Sequence, residues 1–141
     1  MKTLFVGLVL LLAAPIARAQ ALRLGGVDPL SRESYDFYRE ADNTLLISSG
    51  VARGRSIARV RVNGRTFTLT RTTRQEQGDW TTTTFRSPNG GVLATVRYRW
   101  TSAMGGESDC AHGSGTLVVR QGASESQAPV TIAVCPDYIG E

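Results

Sequence analysis

With 141 residues and a formal net charge of +4, the chain has the size of one domain and can bury a real core. That charge is too mild to argue for nucleic acid, and outside the first nineteen residues no apolar run approaches the length of a membrane span. The two cysteines, Cys110 and Cys135, allow one pairing.

Residues 1–19 read as a signal peptide. Lys2 supplies the positive start, Leu4 to Ala14 the apolar run, and Ala17-Arg18-Ala19 a small-x-small site, so cleavage is expected before Gln20. Pro15 and Arg18 interrupt the run too early for a transmembrane helix, and no cysteine near the cut offers a lipid anchor. The expectation is a periplasmic or secreted protein. In such a compartment an even cysteine count predicts a Cys110–Cys135 disulfide. Lys2 is the only lysine, so every basic residue of the expected mature chain is arginine.

Residues 20–34, with Gly25-Gly26 and Asp28-Pro29, read as an N-terminal arm, and 35–141 as a single β domain. Tyr35 to Arg39 fits either a first strand or one helical turn. Asp42-Asn43 is a turn signal, Thr44 to Ser48 a short apolar strand, and Ser49 to Ser56 a loop. The clearest element is Ile57 to Arg71, where strict alternation flanks Asn63-Gly64. That dipeptide tolerates positive φ at both central positions of a type I′ turn. A two-residue loop sets Val62 against Arg65, Val60 against Phe67 and Ala58 against Leu69, with Arg61, Arg59 and Ile57 against Thr66, Thr68 and Thr70. One face of this hairpin is apolar and the other carries Arg and Thr, so other strands must cover the apolar face.

Thr72 to Gly78 is polar and leads to a turn at Gly78-Asp79. Trp80 to Arg86 is a Thr-rich strand, and Ser87 to Gly91 is a turn whose register leaves open whether Trp80 or Phe85 joins the core. Val92 to Trp100 returns with Val92, Ala94, Val96, Tyr98 and Trp100 on the core face and Arg97 and Arg99 on the other. Thr101 to Gly115 is the longest irregular stretch. Thr116 to Gln121 and Ala128 to Cys135 form a last hairpin around Gly122 to Gln127. The sum is an all-β antiparallel meander of about seven or eight strands, closing as a small barrel or sandwich with one disulfide.

Arg59, Arg61, Arg97 and Arg99, with Thr66, Thr68, Thr81, Thr83 and Thr95, are the candidate binding face. Guanidinium groups pair bidentately with carboxylate or phosphate, so the expected partner is a protein or an anionic envelope ligand. His112 is the single histidine, close to Asp109, Cys110 and Ser114. A cysteine held in a disulfide offers no thiolate, and one histidine is a poor metal ligand set, so no catalytic residue, metal or cofactor is assigned. The alternatives are an envelope accessory protein and a small periplasmic enzyme built on the His112 loop. Trp80, Tyr98 and Trp100 fit either a small pocket or plain core.

The run from Ile57 to Arg71, a strand, a glycine turn after Val62 and a return ending Thr68-Leu69-Thr70-Arg71, resembles the middle of the membrane-bound C-type lysozyme inhibitor family. The resemblance implies a small exported bacterial β-barrel that inhibits a hydrolase without catalysis. No inhibitory residue is carried over from it.

Overall fold

The structure is a computed structural model that describes residues 21–102 and 110–135. The leader read at 1–19, and Asp109 in the glycine-rich stretch, lie outside the described residues. Among the described residues nine strands follow in chain order: β1 (Leu24–Gly25), β2 (Tyr35–Arg39), β3 (Leu45–Ala52), β4 (Arg55–Val62), β5 (Arg65–Gln77), β6 (Trp80–Arg86), β7 (Val92–Ser102), β8 (Ala111–Gln121) and β9 (Ser124–Val134).

From β2 to β9 each strand pairs antiparallel with the next, and β9 returns to pair with β2, so eight strands close into a meander barrel. Closure removes the exposed edges that would otherwise invite pairing with other chains. The short β1 is the extra strand. It takes up the end of β4 that β3 leaves free, with Leu24 opposite Val62 and Gly25 opposite Arg61.

The central hairpin has the expected register in all six pairs, from Val62 opposite Arg65 to Ile57 opposite Thr70. Its turn has φ of 50° at Asn63 and 82° at Gly64, both in the left-handed region that a type I′ turn requires. Alternation then sends Ala58, Val60, Val62 and Leu69 into the core, where they meet Phe37, Ile47, Phe85, Val96, Leu117 and Val130. Each such fully buried side chain contributes roughly 1.5–3 kcal/mol from apolar burial.

Three segments read as loops, and the polar run after Arg71, are strands. Ser49 to Ser56 is a second tight hairpin, in which β3 runs on to Ala52 and Arg53-Gly54 turns with positive φ at both residues. Thr72 to Gln77 continues β5 up to the expected turn at Gly78-Asp79, and Ser124 to Gln127 opens β9 after a turn at Gly122-Ala123. The glycine-rich run from Ala111 to Gly115 belongs to β8, where its glycines lie against the backbone of β7. Gly113 lies opposite Trp100 and Gly115 opposite Tyr98. A Cβ on Gly113 would stand 2.8 Å from the Arg99 carbonyl oxygen, and one on Gly115 would overlap the Arg97 carbonyl. The missing side chains let β8 approach β7 closely.

Phe85, opposite Ala94, is the residue that joins the core, and Trp80 turns outward. Thr81 and Thr83 also turn inward, unlike their expected place on the Arg face. Trp100 shares the inward side of β7, but at the end of the barrel it is 40% exposed and meets Tyr98 edge to face.

Candidate functional site: the barrel mouth and the outer arginines

The two ends of the barrel differ. At the Asn63-Gly64 end the N-terminal arm crosses from β9 to β4. The Ser126 hydroxyl donates to the Leu22 carbonyl, Arg39 Nη2 donates to the Leu24 carbonyl at 2.8 Å, and Arg23 N–H donates to Asn63 Oδ1 at 2.8 Å. Asn63 N–H returns a bond to the Arg23 carbonyl at 2.8 Å. Leu22 and Leu24 are buried in the core by this crossing, and they close that end.

The opposite end is open. A cavity of about 230 Å³ enters there between Phe37, Phe85, Val96 and Tyr98, with Ile57, Thr83, Arg71 and Arg74 also in its wall. Phe37 and Tyr98 meet edge to face with ring centres 5.0 Å apart. Burial holds the Tyr98 phenol above its ordinary pKa, against the opposing pull of the nearby Arg74 charge, so it is a neutral hydrogen-bond donor at neutral pH.

An irregularity in β5 puts both arginines on the inside. Residues three apart on a regular strand point to opposite faces. Here Arg71 lies opposite Phe85 and Thr73 opposite Thr84, so Thr72 is an extra residue, and Arg74 returns to the inward face opposite Thr83. This is a β-bulge re-aiming a side chain. The Thr72 hydroxyl donates to the Thr84 carbonyl at 3.2 Å. Arg74 Nη2 pairs with Glu76 Oε1 at 3.0 Å, while among the described residues Arg71 takes part in no ion pair. Sequence reasoning missed both arginines as site residues, since the bulge leaves no pattern beyond the polar run from Thr72 to Gly78.

The four arginines of the expected binding face point outward but fall into two pairs. Arg59 faces Thr68 of β5, whereas Arg97 reaches β5 through Thr82 at Gln75. Those two β5 positions are seven residues apart, roughly 20 Å along a strand rising about 3.3 Å per residue. Arg59 and Arg61 lie against the arm, where Arg59 Nη1 donates to the Asp28 carbonyl at 3.3 Å and the Arg61 stem packs beside Gly25. Arg97 and Arg99 stack on Trp80, with guanidinium carbons 3.8 and 5.1 Å from its ring centre. Stacking over an indole face stabilises a guanidinium electrostatically and leaves its edges free for an anion.

His112 is exposed on β8, opposite Ser102 on one side and Ala133 on the other. Its backbone N–H donates to Ser102 Oγ at 3.2 Å, and its carbonyl accepts from Thr101 Oγ1 at 3.2 Å. Cys110 next to it is bonded to Cys135. Among the described residues no three His, Cys, Asp or Glu side chains come together in a way that would hold a metal ion.

Comparison with protein-family models, with curated proteins and with solved structures returned no match.

Proposed function

We propose that the protein is an exported, non-enzymatic binding protein that engages an acidic partner through Arg97 and Arg99 stacked on Trp80. The single observation carrying this reading is that ladder. Two guanidinium groups are held side by side on an exposed barrel wall by one indole ring, and among the described residues neither is in an ion pair. Guanidinium groups ordered in advance lose less entropy on meeting a carboxylate or phosphate. Arg59 and Arg61 form a second cationic patch beside the arm. The Cys110–Cys135 bond fits the oxidising periplasm or exterior in which an exported protein works.

Inhibition of a cell-wall hydrolase, as in the lysozyme inhibitor family that the central hairpin resembles, is one form of this function. Glycosidases work with a pair of carboxylates, the groups that a two-arginine ladder would engage. The competing enzyme reading centres on His112, whose cross-strand neighbours Ser102 and Ala133 supply neither acid nor thiolate.

Capture from envelope extract tests the reading. Reversing Arg97 and Arg99 to Glu should weaken retention of an acidic partner by about tenfold or more, most visibly at low salt, and His112→Ala should leave it intact. A measurable turnover abolished by His112→Ala and spared by the arginine reversals would establish the enzyme reading instead.

A further inference from the structure

We propose that the open mouth of the barrel binds a small amphiphilic carboxylate, its apolar body on Phe37, Phe85 and Val96 and its carboxylate on Arg71. This goes beyond the outer-wall reading and does not depend on it, because Arg97 and Arg99 point away from the cavity.

The first support is the wall. Phe37, Phe85 and Val96 are buried core residues that form the floor of the cavity, and Tyr35, Val51 and Ile57 form its more exposed sides. An apolar cavity of about 150 Å³ is enough for a benzene ring. At about 230 Å³ this one suits an aromatic ring with a short side arm, or an acyl chain of medium length.

The second support is charge. Arg71 and Arg74 face inward at the rim of the cavity, whose remaining polar lining is Ser49, Ser56 and Thr83, with the Glu76 carboxylate held by Arg74. β5 is paired with β4 only as far as Thr70, so from Arg71 on it is bonded to β6 alone; inward charge there guards a free edge, and the same two arginines also line the cavity. The bulge at Thr72 is what brings the second arginine inside, and bulges of this kind commonly re-aim side chains beside sites. Arg74 is tied to Glu76, which leaves Arg71 to meet the ligand; a planar guanidinium matches a carboxylate with two parallel bonds. Tyr98 lines the same cavity as a neutral donor. An apolar floor beneath a cationic rim selects a molecule that has both parts.

Calorimetric titration of the intact, disulfide-bonded protein with octanoate tests this, with acetate and 1-octanol as probes that carry only one of the two parts. Octanoate should bind saturably and equimolarly, and each comparison probe should bind about tenfold more weakly or worse. Arg71→Gln, at an exposed position, should weaken octanoate roughly 10- to 100-fold by removing charge-assisted bonds, while Arg120→Gln on the outer wall should change it less than about twofold. Ile57→Trp should abolish binding by filling the mouth, and if that variant does not fold, Arg71→Gln decides the matter alone. No saturable octanoate binding, equal binding of 1-octanol, or an Arg71→Gln variant that binds like the parent would overturn the proposal.

Discussion

The barrel's two ends are made by the same eight strands and are finished by different means. One is closed by packing: the N-terminal arm crosses it, Leu22 and Leu24 enter the core, and the arm's backbone is bonded to Asn63. At the other, Tyr35 is 47% and Val51 75% exposed, two arginines line the opening, and Cys110 is tied to Cys135 at the joined ends of β8 and β9. Stability is therefore concentrated at the closed end, which frees the open end to carry charged and polar groups that a core would not tolerate.

Removing the closure should have the largest effect. The double change Leu22→Ala with Leu24→Ala should cost about 4 kcal/mol in denaturant unfolding, since each truncation leaves a cavity that the arm cannot fully collapse. Val51→Ser at the mouth should change stability by less than about 0.5 kcal/mol. Similar losses at the two positions would show that the ends are not different in kind.

At the mouth the crosslink substitutes for packing. Its sequence separation of 25 residues places the loss on Cys110→Ser with Cys135→Ser at about 3 kcal/mol in the chain-entropy account. Alkylation of the denatured, unreduced protein should label neither cysteine, and stoichiometric labelling of both would refute the bond.

The smallest effect sharpens the closed end. Gly64→Val should destabilise by more than about 1 kcal/mol through backbone strain alone, because φ is +82° and, chain neighbours aside, no atom of the described residues lies within 4 Å of the added Cβ. An unchanged denaturation midpoint would mean that the turn relaxes to another type.

What was legible in the sequence follows the same division. The hairpin around Asn63-Gly64 could be read pair by pair because its alternation and its turn chemistry agree. The all-β antiparallel meander followed from several such segments and the absence of helical periodicity, while the choice of barrel over sandwich rests on the β9–β2 pairing. The misread segments border the open end or carry polar side chains on both faces. The Arg71 to Gln77 run has no apolar stripe because its inward residues line a wet mouth, so alternation gave no signal there. Gly113 and Gly115 mimic a loop because the β7 backbone at Arg99 and Arg97, with Ile132 beside Gly113, occupies the space their side chains would need. The outward direction of Arg59, Arg61, Arg97 and Arg99 was readable from each strand alone. Their division into two pairs was not, since it depends on register carried across β5 and β6.

The most direct test of the difference between the ends is methyl NMR relaxation in the presence of a soluble gadolinium chelate, which broadens resonances according to their access to solvent. The account predicts strong broadening for Val51 at the mouth, with the methyls of Leu22, Val62 and Val92, at 6%, 1% and 1% exposure, left sharp near the closed end. Comparable broadening of Leu22 and Val51, or protection of both, would contradict a barrel closed at one end and open at the other.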